Sequence, residues 1–128
     1  MYAPAFLDHL THPRSQGTLP NATHRGEAED SACGDRLSLD LVVDVGPGGG
    51  TIRDARFRVV GCPGSIAVGS ALASLLPGRP ATEGAVSPAE IEALLGSVPP
   101  AKRHALRLAT EALRAALRGV LGGSPRPG

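Results

Sequence analysis

The sequence predicts an α+β fold, a β-hairpin with helices before and after it. Three observations carry that prediction. Apolar and polar residues alternate from residue 36 to 45 and again from 54 to 59, a glycine-rich run separates these stretches, and the chain after residue 62 has helical spacing and helix-start signals. At 128 residues the chain is one domain with room for a single core. Its only aromatic residues are Tyr2, Phe6 and Phe57, so packing has to rest on Leu, Val and Ala.

Pro4 suits the first turn of a short helix carrying Phe6, Leu7 and Leu10, which Pro13 ends near His12. Residues 14–32 read as mostly irregular, with one edge strand around 23–28. Leu37, Leu39, Leu41, Val43 and Val45 then alternate with Arg36, Ser38, Asp40 and Asp44, broken only by Val42. That is the pattern of a half-buried strand. Gly46-Pro47-Gly48-Gly49-Gly50 can only turn, and Ala55, Phe57 and Val59 alternate with Asp54, Arg56 and Arg58 on the way back.

From 63 to 76, Ile66, Ala67, Ser70, Leu72, Ala73 and Leu76 follow helical spacing until Pro77-Gly78 stops it. Ser87-Pro88-Ala89-Glu90 has the residues of a capping box, so a short helix with Ile91, Leu94 and Leu95 runs to Gly96. Pro99-Pro100 opens the longest helix, whose wide apolar face runs from Ala105 and Leu106 to Leu117 and Val120. Arg103, Arg107, Arg114 and Arg118 share another face, which is either solvated or docks an acidic partner. Residues 122–128 form a loose tail.

The hairpin gathers chemistry at its open end. With the turn centred near Gly48 and Gly49, and a register loose by about two residues because of the glycine loop, Asp35 faces Cys62 and Cys33 lies one step beyond. Two thiols and a carboxylate make a metal site; the alternatives are two unrelated buried cysteines, or one disulfide, which a reducing compartment disfavours. The contexts Cys33-Gly34-Asp35 and Gly61-Cys62-Pro63-Gly64 favour ligands over packing. His9 and His12 read as helix-surface or loop residues and His24 as a solvated loop residue.

Several function classes fall away. A net charge of +1, with arginines that no aromatic residues interleave, does not indicate a nucleic-acid face. No stretch reaches the length of a membrane span. Residues 1–14 carry charge and proline where a targeting segment needs an apolar core, so a cytoplasmic protein with reduced thiols is expected. The glycine turn lacks a phosphate-loop lysine, and no Ser-His-Asp spacing or second redox cysteine accompanies Cys62. A non-enzymatic protein is therefore expected, ahead of a small enzyme using Cys62 as nucleophile.

A set of short motifs stands in a recognisable order: Phe6-Leu7-Asp8-His9, Pro13-Arg14 and Gly17, Cys33-Gly34-Asp35, then Asp54-Ala55-Arg56-Phe57. Gly61-Cys62 with Ser65-Ile66-Ala67 follows, and then Pro99-Pro100-Ala101-Lys102-Arg103-His104 running into Leu108-Ala109 and Glu111-Ala112. In these the chain resembles the NifU-like, IscU-type family of iron-sulfur cluster assembly scaffolds, over residues 1–121. The resemblance implies a three-stranded antiparallel sheet packed against helices, the SufE/NifU fold. It also implies a protein that holds a labile [2Fe-2S] cluster for transfer to apo acceptor proteins.

Carried over residue by residue, the resemblance implies Cys33, Asp35, Cys62 and His104 as metal ligands. The family's third cysteine should follow the histidine, where this chain has Ala105. The remaining donors suit Zn²⁺, and they suit a [2Fe-2S] cluster with histidine replacing one cysteine. Asp35 would be the weakest ligand to a soft iron-thiolate centre. In the family the third cysteine is implicated in taking persulfide sulfur from a cysteine desulfurase. Cys62, just ahead of a helix whose dipole favours negative charge, is the candidate acceptor in its place. The alternative is a zinc-bound partner that regulates a desulfurase without assembling clusters.

The family's Leu-Pro-Pro-Val-Lys chaperone segment reads Val98-Pro99-Pro100-Ala101-Lys102 here. At roughly 0.8 kcal/mol per buried CH₂, the trimmed side chains cost about 2 kcal/mol, so weak binding of an Hsp70-type chaperone is expected.

Overall fold

A computed structural model of the chain describes residues 2–31 and 34–119. The expectations for Cys33, Val120 and residues 122–128 lie outside those residues. The elements are α1 (Pro4–Thr11), β1 (His24–Asp30), β2 (Asp35–Gly46), β3 (Gly49–Val60), α2 (Pro63–Leu75), α3 (Pro88–Leu95) and α4 (His104–Arg118). The strands form one antiparallel sheet in the order β1-β2-β3, so the α+β architecture is as expected. No described helix is long and apolar enough to cross a membrane.

One face of the sheet makes the core. Leu37, Leu39 and Leu41 of β2 and Phe57 of β3 are fully buried there, under α2 and α4. Close approach depends on two glycines. A Cβ on Gly26 would collide with the backbone of α4 at Ala116, and one on Gly69 would enter the Phe57 ring. Lying between the sheet and the other three helices, α2 is buried nearly all round, which explains its run of small and apolar residues.

Three details of the hairpin go beyond the alternation. Gly46 pairs with Gly49, so Pro47-Gly48 forms a two-residue turn, earlier than the expected centre. A register shift between Val42 and Val43 leaves Arg53 of β3 unpaired in the ladder, and both valines are buried. Val45, expected on the buried face, is 86% exposed because the hairpin tip projects past the core.

The capping box is present: Ser87 Oγ accepts the Glu90 N–H at 3.2 Å, and Glu90 Oε1 accepts the Ser87 N–H at 3.1 Å. The final helix begins later than Pro99-Pro100 suggested. Pro100–Lys102 instead makes a 3₁₀ turn, and α4 starts at His104. In that turn the Lys102 stem lies over Gly64, where any Cβ would crowd it. The arginine stripe is neither bare nor vacant. Arg103 pairs with Glu92, Arg107 with Glu111, and Arg114 and Arg118 with Glu83.

Two histidines correct the sequence reading. His9 is only 8% exposed, with Nδ1 2.7 Å from Ser70 Oγ, which also accepts the Arg14 N–H at 2.8 Å. The small residues of α2 admit α1 so closely that the ring is enclosed, and burial lowers its pKa. His24 opens β1 half-buried, beside Thr23 Oγ1 at 2.8 Å, and burial lowers its pKa too. His12 is exposed, as expected.

Candidate metal centre

The centre forms where β2 begins and β3 ends. Arg36 sits opposite Val60, so Cys62 lies just past the end of β3 rather than directly across from Asp35. Gly61 makes the link. It has φ +148°, and a Cβ there would collide with the Asp35 carboxylate and its Cα. Cys62 then caps α2, with Pro63 in the first turn.

Asp35 is the hub and is only 2% exposed. Its Oδ1 accepts the Cys62 N–H at 3.1 Å. Its Oδ2 accepts the Ser65 hydroxyl at 2.8 Å and the Cys62 thiol at 3.1 Å, and lies 3.3 Å from His104 Nε2. Burial pushes the Asp35 pKa up, but donation from the Cys62 thiol, Ser65, the Cys62 N–H and His104 together leaves it below the ordinary carboxylate value. A charged carboxylate only accepts, so a hydrogen bond here requires the His104 tautomer with its proton on Nε2.

Asp35, Cys62 and His104 can each offer one ligand atom, all within 4.8 Å of one another. Small side-chain rotations would bring them to the donor distances of about 2.0–2.3 Å that a shared ion requires. Thiolate, imidazole and carboxylate together fit zinc or iron. The hub is buried, while the His104 side chain keeps 22% of its exposure, so the centre opens on that side. A cleft of about 310 Å³ lies there, lined by His104, Arg107, Glu111 and Glu29 among others.

Three of the four expected ligands therefore converge; Cys33 lies outside the described residues. Cys62 is a free thiol. Ala105, at the position of the family's third cysteine, is fully buried and belongs to the core cluster. Sequence patterning assigns Ser65 no role of its own. Its signal was in the spacing: three residues past the cap, a helical side chain returns to the cap's side.

The profile of the NifU-like N terminal domain family matches residues 1–121. The chain belongs to that family. It is 42% identical over 119 residues to the bifunctional protein NifU/MnmA of Rubrobacter xylanophilus, covering 90% of this chain and 23% of that protein. It is 34% identical over 121 residues to the iron-sulfur cluster assembly scaffold protein IscU of Aquifex aeolicus, covering 94% of this chain and 76% of that protein. The nitrogen fixation protein NifU of Azospirillum brasilense is also 34% identical, and the chain spans 39% of it. Among solved structures, FiSufU from Fervidobacterium islandicum superposes with a TM-score of 0.71 at 19% identity, covering 91% of this chain and 96% of that one. A NifU-like N-terminal structure from Brucella abortus gives 0.65 at 15% identity, covering 91% and 90%. At those identities the structures share the fold.

Proposed function

We propose that this chain is an iron-sulfur cluster assembly scaffold, a non-enzymatic protein that holds a labile [2Fe-2S] cluster as cargo and hands it to acceptor proteins. The observation that carries the reading is the convergence of Cys62 and His104 on the buried Asp35 carboxylate at an open rim. The names of the scaffold and NifU relatives support it. Cys33 supplies the second thiolate in this reading, within a domain of residues 1–121 followed by a tail at 122–128.

Each residue has a distinct part. Cys62 as a thiolate and His104 as a neutral imidazole present sulfur and nitrogen lone pairs, while Asp35 supplies a charge-balancing but poorly matched oxygen. A poorly matched ligand exchanges readily, which a carrier needs. Cys62 is also the acceptor for persulfide sulfur from a cysteine desulfurase, because it stands at the N-terminus of α2. The protein works in the cytoplasm, with reduced thiols and no membrane or nucleic acid. An Hsp70-type chaperone binds its 98–102 segment weakly, since Val98 is 4% exposed and already committed to the core.

The same donors accept zinc, and a zinc-bound desulfurase partner is the competing reading; the relatives' names favour the scaffold. Anaerobic reconstitution with iron and sulfide tests the choice. The expected product is brown, with sulfur-to-iron charge-transfer absorption, and passes its cluster to an apo-ferredoxin. A colourless protein retaining one tight zinc would support the competing reading.

A further inference from the structure

Ser65 is fully buried, yet its hydroxyl serves Asp35 rather than the helix backbone. It lies 2.8 Å from Asp35 Oδ2 and 3.8 Å from Cys62 Sγ, and its backbone N–H is donated to Cys62 O at 3.1 Å. Three side chains thus converge on one carboxylate oxygen, and they differ in what a metal does to them. Cys62 and His104 are candidate ligands themselves, and binding a metal through Sγ and Nε2 would take both atoms off Oδ2. Ser65 has no such duty.

We propose that Ser65 is the positioning residue of this centre. When the thiol and imidazole turn to a metal, the Ser65 hydroxyl remains on Oδ2 while the Cys62 N–H remains on Oδ1. A carboxylate held through both oxygens cannot rotate about its terminal bond, so Asp35 keeps one lone pair aimed between Cys62 and His104. Hydrogen bonds of this kind to ligating groups typically change metal affinity by about tenfold to hundredfold when removed. The inference rests on the metal-binding reading above and adds a residue that touches no metal itself.

Anaerobic titration of the full chain with Co²⁺ alone tests it, comparing wild type, Ser65→Ala and Ser65→Thr. Thiolate-to-cobalt charge transfer reports Cys62, and the ligand-field bands report coordination geometry. The expected result is a Kd about tenfold to hundredfold higher for Ser65→Ala with altered ligand-field bands, and recovery of both in Ser65→Thr. A merely structural serine would lower stability and leave the spectrum unchanged. If the alanine variant does not fold, Ser65→Thr against Ser65→Val reads the same hydroxyl at constant shape. Wild-type affinity and spectrum in the variants lacking the hydroxyl would overturn the assignment while leaving the metal centre standing. Absence of any Co²⁺ binding by the wild type would overturn the metal reading and the Ser65 assignment with it.

Discussion

Strand β2 carries two buried aspartates that look alike and are built for opposite ends. Asp35 is 2% exposed and Asp40 is fully buried. Burial pushes both pKa values up, and in both the donors more than reverse it. The donors are what differ. Asp40 receives Arg25 Nε at 2.9 Å, Arg25 Nη2 at 3.2 Å, the Leu19 N–H at 3.0 Å and Arg58 Nη1 at 3.4 Å. Guanidinium and backbone N–H groups keep their protons, so that carboxylate is closed. Asp35 is held chiefly by a thiol, a hydroxyl and an imidazole. Two of these are metal donors once deprotonated. A buried carboxylate is thus read by whether its partners can change allegiance.

The sharpest way to break this comparison is Asp40→Ala. It leaves the buried Leu19 N–H without its acceptor, while Arg25 and Arg58, whose side chains are 41% and 39% exposed, turn to water, so a loss of about 2–3 kcal/mol in urea unfolding is expected. Against a typical total of about 5–15 kcal/mol, the variant stays folded but is clearly weakened. The milder Asp40→Asn should leave Co²⁺ affinity at its wild-type value, and a large drop would show that the two aspartates are not separable.

Ala105→Cys probes the fully buried position after His104. A sulfur added to a filled core costs about 1–3 kcal/mol. Because the position is already enclosed in the core cluster, the reconstituted cluster should last no longer than in the parent. A longer lifetime would show that the start of α4 opens and turns this residue to the rim.

Asp35→Ala removes a hub rather than a charge anchor. Its expected stability cost is about 1–2 kcal/mol, from the Cys62 N–H and Ser65 hydroxyl left without an acceptor. Its expected functional effect is a cluster that lives longer and transfers more slowly, because the exchangeable oxygen is gone. Unchanged transfer kinetics would make Asp35 purely structural, like Asp40.

The smallest effect is a pH dependence. The folded pKa of Asp40 lies below its unfolded value, so its stabilisation is fully present above about pH 4 and is lost as pH falls through the lower folded value. The stability gap between wild type and Asp40→Asn should therefore narrow on acidification. A gap that stayed constant would show the carboxylate is not held as its ion.

The sequence distinguished these two sites only in part. Asp35 stood out because cysteines flank it, whereas Asp40 read as one polar tooth in an alternating strand. Its partners Arg25, Arg58 and Leu19 are distant in sequence, and only the folded sheet brings them together. Strand periodicity made the hairpin legible, and proline and serine punctuation made the helices legible. The exposure of Val45 was not, because alternation says nothing about where the core ends. His9 was misread for a related reason. A short helix shows its buried face only once a neighbour with small residues is known to lie against it. Ser65 was visible as a motif letter, but its partner became clear only when β2 met the start of α2.

Iron-edge X-ray absorption of the anaerobically reconstituted protein tests most directly the claim that Asp35, Cys62 and His104 form a cluster centre. The prediction is a mixed shell, sulfur together with nitrogen or oxygen scatterers, with an iron–iron vector, and a smaller nitrogen and oxygen contribution in His104→Ala. A shell of oxygen alone, or one unaltered by loss of His104, would contradict it.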